Sequence, residues 1–534
     1  MGGTRERVSM NIRELIERNA ERNPNKIFLY FEEQEVSYEA FNHKINRAAN
    51  VFLELGIKKG DRVCLFLPNC PEYLYGWFGL SKIGAVLVPI NTNYRTEETK
   101  YIINHSEATT ILVHSSLAAV VDNIKLETSG LKNFLMMGGA VKNSGYISFE
   151  GAMESASTKL KPIDIREDDI CEIMYTSGTT GPSKGAVMTH KYLMLGGYGF
   201  RYPMDVTPED RLFTCLPLFH GNAQAYSTLG ALTAEASLIL VDRFSASKFW
   251  NQIRHYQATV FNYIGAMVSI LSKQPESDKD RDHPVRAAYG SPALDKPFQD
   301  YLEQRYGLTF VTGYGLTECA LCLIQPLHGL RKEKSIGLPK QIPGAGFVNE
   351  VRIVDENDKP VPAGTVGEIV VRNPVVMKGY FKEPELTRKA IRDGWLHTGD
   401  QGWMDEDGYF FFADRKRDVI RRRGENVSSI EVENVINSHP KILESAVIGV
   451  PAELYDDDVK AYVILKPNEN LDPIEIIQWC KERLAYFKVP RYIEFRDEFP
   501  KTPTHRVQKY KMIQDEKALK RDCFDLEKTD FKLR

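Results

Sequence analysis

The sequence predicts an α/β protein. It reads as a large N-terminal domain of mostly parallel sheets with helices on both faces, a small barrel-like subdomain, and a small α+β C-terminal domain. Three observations carry this. The chain of 534 residues is longer than one hydrophobic core usually holds. Short, continuously apolar segments alternate with stretches of helical periodicity, the pattern of strands buried on both faces. Beyond Val351 the texture changes to strands around polar turns, and beyond Arg417 to a compact mixed unit.

In chain order, Ser37 is a helix N-cap, followed at helical spacing by Phe41, Ile45, Ala48 and Phe52, and Gly56 closes that helix. "RVCLFL" from Arg62 to Leu67 is a strand, a helix follows from about Glu72, and "AVLVPI" from Ala85 to Ile90 is the next strand. "TTILVH" and "SLILV", starting at Thr109 and Ser237, repeat the theme. "VRIVDENDKPVPAGTVGEIVVR" is two strands about a polar turn, the start of the barrel-like part. The last unit has a helix near Ile430 to Ile436, strands "SAVIGV" and "VKAYVIL", a helix near Pro473 to Tyr486 and the strand "YIEF". The expected domains are therefore 1–416 and 417–534, without internal repeats.

Composition excludes several classes. Hydrophobic residues at 43% and charged residues at 26% are ordinary for a soluble globular protein. A formal net charge of -3 gives no general attraction to nucleic acid or anionic membrane, and neither is expected as a partner. Eight scattered cysteines fit a reducing, cytoplasmic setting rather than a disulfide framework. Cys319 and Cys322 form the only C-x-x-C; with no second pair or nearby His to complete a zinc site, they read as buried thiols. The N-terminal "MGGTRERVSM" lacks a secretory apolar region and, with Glu6, fails the myristoylation pattern. No apolar run is long enough to span a bilayer.

The stretch "YTSGTTGPSKGA", Tyr175 to Ala186, has the composition of a phosphate-holding loop: Gly for close backbone approach, hydroxyls and N–H groups as donors. Gly178 and Lys184 have Walker A spacing, but Ser183 replaces the second Gly and Gly185 the Mg²⁺-binding Ser or Thr. An ATPase or kinase of P-loop type is therefore disfavoured.

Further motifs follow in order: "LPLFH" to His220, "YGSPA" from Tyr289, "TGYGLTE" from Thr312, "GYFKEPELT" from Gly379, "GWLHTGD" from Gly394 and "RKRDVIRRRGENVSSIEVE" from Arg415. Over nearly its whole length the chain resembles the adenylate-forming superfamily of acyl-CoA synthetases, luciferases and peptide-synthetase adenylation domains. Within it, the chain is most similar to bacterial acyl-CoA ligases of the crotonobetaine/carnitine type. The resemblance implies a carboxylic acid, ATP, Mg²⁺ and coenzyme A as substrates and cofactors. The acid attacks the α-phosphate to give acyl-adenylate and pyrophosphate; CoA then displaces AMP. A mobile C-terminal domain turns between the two steps.

The resemblance also implies roles. Thr176, Ser177, Gly178, Thr179, Thr180, Gly181 and Lys184 would hold the departing phosphates. Gly290, Ser291 and Pro292 would form one wall for adenine, and Tyr314, with Gly313 and Gly315, the other. Thr317 would donate to the α-phosphate and Glu318 would hold Mg²⁺. Asp400 would accept from the ribose hydroxyls, with Arg415 on ribose or phosphate. His220, ending a strand-like apolar run, would sit at the carboxylate entrance. The acyl pocket would take Gly265, Ala266 and Met267 from a helix spanning Phe261 to Leu271, together with Gln224, Tyr289 and Ala320. No carboxylate stands out there as a partner for a quaternary ammonium, and aliphatic, aromatic and betaine-type acids all stay open. Gly424 would line the pantetheine tunnel and Arg417 would be the hinge, whereas Arg421, Arg422 and Arg423 read equally as CoA-phosphate contacts or a solvated face.

One motif departs from the pattern. The usual P-K-T-x-S/T-G-K is "PKTPTHR" here, so Arg506 stands in place of the catalytic Lys. Arg is always charged but larger and planar, so the exchange is not conservative. Three readings follow: Arg506 does the lysine's work, adenylation is slow, or the enzyme runs towards ATP. The first is favoured. A luciferase-like oxidase, a peptide-synthetase module and a non-catalytic acyl-nucleotide binder are weaker alternatives. The assembly is open, with a homodimer as the expectation.

Overall fold

The computed structural model describes residues 11–141, 145–176, 183–291, 293–415, 419–452, 457–499, 507, 509, 512 and 523–533. Two large sheets form its frame. The first is seven-stranded, in the order Ile147–Ser148, Asn133–Met137, Thr110–His114, Arg62–Phe66, Val86–Pro89, Ile170–Thr176 and Lys184–Thr189. All its pairings are parallel except the last, where Ile170–Thr176 and Lys184–Thr189 run antiparallel around the Gly-rich stretch. The strands read as unbroken apolar runs because helices cover both faces: Phe66 and Leu65 point to opposite sides, and both are fully buried.

The second sheet has 14 strands. Its parallel part is Ile27–Phe31, Ser237–Leu240, Arg211–Thr214, Val260–Ile264, Ala287–Ser291 and Thr309–Leu316. From Cys319–Ile324 onward it is antiparallel, through Ser335–Pro339, Phe410–Arg415, Trp395–Met404, Gly367–Arg372 and Glu350–Val354. The part expected to be barrel-like is thus hydrogen-bonded onto the end of the parallel sheet.

The local signals hold. Ser37 Oγ accepts from the Ala40 N–H and caps Tyr38–Glu54, whose apolar face buries Phe41, Ile45, Ala48 and Phe52. Pro71 starts Pro71–Ile83, and Gly84 ends it in the left-handed region. Three local expectations need correction. The segment from Phe261 to Leu271 is not one helix: Val260–Ile264 is a strand, and the helix begins at Gly265. Val260, Phe261 and Tyr263 are β-branched or aromatic and pair in parallel with Arg211–Thr214 and Ala287–Ser291, which decides the strand. His220 does not end a strand; that strand stops at Thr214 and a turn intervenes. The helix Pro473–Arg483 also stops short of Tyr486.

The C-terminal part has its own four-stranded sheet, Ile442–Pro451, Asp457–Leu465, Tyr492–Phe495 and Phe524–Asp525, backed by Ser429–Asn437 and Pro473–Arg483. Before it stands a two-stranded hairpin, Val419–Arg422 with Glu425–Ser428. Arg423 and Gly424 form its two-residue turn, with φ of 55° and 81°. Positive φ at both positions is the turn whose twist matches the flanking strands.

This part docks on the N-terminal body through buried charge. Lys488, fully buried, lies 2.8 Å from Glu98 and 2.7 Å from Glu431, with its ammonium 4.5 Å from the Tyr94 ring centre. Burial works to lower the Lys488 pKa, but the two carboxylates outweigh it and hold the group well above its usual range. Among the described residues no helix is long and apolar enough to cross a membrane. Cys319 and Cys322 are buried thiols, not disulfide-bonded, on the strand Cys319–Ile324.

Candidate active site

A cleft of about 1440 Å³ lies between the two large sheets and the C-terminal hairpin. Thr176 and Lys184, cross-strand partners at the base of the Gly-rich stretch, border it. Residues 177–182, with Ser177, Gly178, Thr179, Thr180 and Gly181, lie outside the described residues, as do Pro292, Arg417 and Arg506. For Arg415 the backbone alone is described, paired with Asp400 across two antiparallel strands.

Parallel strand ends deliver the remaining groups. Ala287–Ser291 brings Tyr289, Gly290 and Ser291 to the cleft, and Thr309–Leu316 brings Gly313 and Gly315. Gly313 is needed for close approach: a Cβ there would stand 2.2 Å from the Tyr289 hydroxyl. Thr317 and Glu318 follow at the turn into the antiparallel strand. The Tyr192 hydroxyl donates to the Thr317 carbonyl at 2.9 Å, and the Tyr380 hydroxyl to Glu318 Oε1 at 2.7 Å. Tyr380 also places its ring 5.4 Å from the Lys184 ammonium. It was not singled out from sequence, although it stands inside the quoted "GYFKEPELT".

Asp400 is buried and accepts from the Tyr314 hydroxyl at 2.7 Å. Burial and the neighbouring Asp400 both push the Tyr314 phenol far above its usual range, so it stays a donor. Tyr314 contacts the site through this bond but does not itself border the cleft. Gln224, Ala266, Met267 and Ala320 do border it; Gly265, buried at the start of its helix, does not.

From the opposite side the hairpin tip enters. A Cβ on Gly424 would stand 2.6 Å from Ile264 Cδ1, and a φ of 81° strains any L side chain, so glycine suits the turn against the pocket wall. Glu425 Oε1 lies 3.0 Å from His220 Nε2, with Asn91 donating to the same oxygen at 3.3 Å. Of the three basic residues Arg421 to Arg423, Arg422 is a structural ion: it is buried, pairs with Asp458 and donates to the carbonyls of Phe487 and Val489. That overturns the solvated-face reading for Arg422.

The His220–Glu425 pair has a pH window. Burial alone would lower the His220 pKa, but the Glu425 charge outweighs it and raises it; Glu425 in turn is lowered, against burial, by His220. The contact is therefore complete below the raised histidine pKa and fades as pH rises through it. On the acid side it is lost only when pH falls through the lowered carboxyl pKa. Glu425→Gln is expected to move the His220 titration, followed by its ring-proton NMR shift, to lower pH. An unmoved titration would refute the pairing.

The comparisons agree with this geometry. The family model "AMP-binding enzyme" matches residues 16–381, well over half of the chain, and "AMP-binding enzyme C-terminal domain" matches 431–506. The crotonobetaine/carnitine–CoA ligase of Salmonella typhimurium (strain LT2) is 37% identical over 485 residues, covering 89% of this chain and 92% of that protein. The Salmonella paratyphi A enzyme of the same name is 36% identical over 513 residues, covering 93% and 98%. Among solved structures, the anthranilate CoA ligase AuaEII with anthranoyl-AMP has a TM-score of 0.73 at 28% identity, covering 97% of this chain and 99% of that one. The Mycobacterium tuberculosis fatty acyl CoA synthetase has 0.70 at 29%, covering 94% and 97%. The chain belongs to the AMP-binding enzyme family, and it is an AMP-forming acyl-CoA ligase.

Proposed function

We propose that the cleft carries out both half-reactions of an ATP-dependent acyl-CoA synthetase, with the part beyond Arg417 turning as a domain between them. The observation that carries this is the meeting of the phosphate-loop strands, the Tyr314–Asp400 pair and the Gly424 hairpin tip at one cavity.

In the first half-reaction a substrate carboxylate oxygen attacks the α-phosphate and pyrophosphate leaves. Both reactants are anions, so the site must neutralise charge and fix their approach. Lys184, Thr176 and residues 177–181 are assigned to the departing phosphates, and Thr317 to the α-phosphate. Glu318 fits a Mg²⁺ ligand: it is a carboxylate in the cleft, oriented by the Tyr380 hydroxyl, and Mg²⁺ prefers oxygen donors. When bound, Mg²⁺ would supply further charge neutralisation on the phosphates. Asp400 is assigned to the ribose hydroxyls, since a carboxylate accepts several hydrogen bonds. Adenine is assigned to the wall formed by Gly290, Ser291 and Pro292, with Tyr314 behind it holding Asp400 and Arg415 beside the ribose or phosphate. Arg506 is assigned to the carboxylate and α-phosphate in this step.

In the second half-reaction the CoA thiolate attacks the acyl carbonyl and AMP leaves. The arrangement described, with Gly424 against Ile264 and Glu425 on His220, fits this step, because the hairpin tip then forms one wall of the path to the acyl group. We assign the acyl pocket to Gln224, Ala266, Met267, Tyr289 and Ala320, with Tyr192 and Tyr226 added as aromatic walls. The names of the Salmonella relatives and this aromatic lining support a betaine-type acid. A homodimer and a cytoplasmic location stay as expectations from the sequence.

The test is pyrophosphate release from ATP and Mg²⁺ across a panel of carboxylic acids, with and without CoA. Acid-dependent release sustained only with CoA is the expected result. Release of ADP or orthophosphate instead would overturn the reading.

A further inference from the structure

A buried carboxyl that no step of the ligation uses stands beside the acyl pocket. Glu172 lies on the strand Ile170–Thr176, where alternation puts it on one face with Met174 and Thr176, both of which border the cleft. Its cross-strand partner is Met188, which borders the cleft as well, so Glu172 points to the same side. It is fully buried, and neither carboxyl oxygen has a hydrogen bond of normal length; the Gln224 amide is its weak polar neighbour. Gln224, fully buried and on the cleft wall, stands in the same relation to the Tyr73 hydroxyl. The three are neighbours. Burial pushes the Glu172 carboxyl up to about 8 against the pull of the Gln224 amide, and the Glu172 charge adds to the burial that raises Tyr73.

A carboxyl buried beside a ligand pocket with only such weak support marks a functional position rather than ordinary packing. A plain aliphatic chain would leave the trio as it is. An anionic chain end would be repelled by the carboxyl once it ionises. A cation would let Glu172 ionise and would be attracted across the low-dielectric wall without direct contact. A quaternary ammonium needs no hydrogen-bond acceptor and is held by charge and by aromatic rings such as Tyr192, which borders the cleft. The Tyr226 ring is already engaged, by the Phe200 ring stacked 5.8 Å from it and by the buried cation Lys340. It hydrogen-bonds the Tyr289 hydroxyl at 3.2 Å, lies 4.7 Å from the Tyr226 ring centre and does not border the cleft.

We propose that Glu172, supported by Gln224 and Tyr73, is the specificity-determining counter-charge for a quaternary-ammonium head on the acyl substrate; this rests on the acyl-pocket reading above. The ligation chemistry itself does not require it.

The experiment compares 4-(trimethylammonio)butanoate with its neutral isostere 5,5-dimethylhexanoate, measuring kcat/KM by pyrophosphate release with CoA present. Wild-type enzyme is expected to prefer the cation by about a hundredfold, and Glu172→Gln to lower that ratio by about tenfold or more. The ratio is insensitive to a general loss of active protein, and the wild-type arm needs no variant. A wild-type ratio near one overturns the proposal, as does a high ratio that Glu172→Gln leaves unchanged. Turnover of the isostere but not the cation overturns it while leaving the ligase reading intact. No acid-dependent pyrophosphate from either acid, or from the wider panel, overturns the ligase reading as well.

Discussion

Replacing Gly424 with leucine is expected to slow thioester formation by about a hundredfold or more, far beyond its effect on acyl-adenylate formation. Two physical reasons combine. The residue has φ of 81°, a left-handed conformation that costs an L side chain about 1–2 kcal/mol. Its Cβ would also stand 2.6 Å from Ile264 Cδ1, so either the end of the Ile264 side chain or the hairpin tip must shift. A shift on the order of 1 Å at such a point is enough to disturb a positioned attack about a hundredfold. In the proposed domain turn the tip is withdrawn during adenylation, so the added side chain is expected to affect that step little. Single-turnover assays separate the halves: acyl-AMP formation from acid and ATP, and thioester formation from supplied acyl-AMP and CoA. A loss confined to adenylation would overturn the assignment of Gly424 to the CoA path.

The complementary result is expected at Arg506. Arg506→Ala should slow acyl-adenylate formation by about a hundredfold or more, equivalent to ~3 kcal/mol of lost charge stabilisation, and largely spare thioester formation from supplied adenylate. Arg506 lies outside the described residues, so this expectation rests on its place in "PKTPTHR", where the family pattern has Lys. Arg506→Lys is expected to recover adenylation, because the required property is a positive charge between two anions. Equal losses in both half-reactions would remove Arg506 from the first step. Together the two variants would divide one enzyme into its halves, one residue serving each domain orientation.

Several elements were legible because their signals are local. The Ser37 cap, the apolar periodicity from Phe41 to Phe52 and the helix start expected near Glu72, found at Pro71, are decided within a few residues. The unbroken apolar strands announced parallel sheets because both faces had to be buried. Where a segment's own pattern was ambiguous, pairing decided it. Val260–Ile264 is a strand because two neighbours hydrogen-bond to it, information absent from the segment itself. The site motifs were readable as an ordered set. Even so, the sequence did not give Tyr380 its role, since a tyrosine on a loop says nothing of Glu318, 62 residues away.

By itself, the sequence determined the fold class, the family and an ordered set of motif residues, many of which the fold brings to the cleft. These follow from short-range patterning and from motifs whose residue types suit phosphate, ribose and thioester chemistry. Only the tertiary structure decided which charges meet. His220 and Glu425 are 205 positions apart, and Tyr314 and Asp400 are 86 apart. The tertiary structure also showed that Glu172, which reads as one polar residue in a buried strand, is a fully enclosed carboxyl without a hydrogen bond of normal length. Partners and burial are properties of the packed chain. The same Glu on an open edge would be an ordinary solvated carboxylate, and no local pattern distinguishes the two.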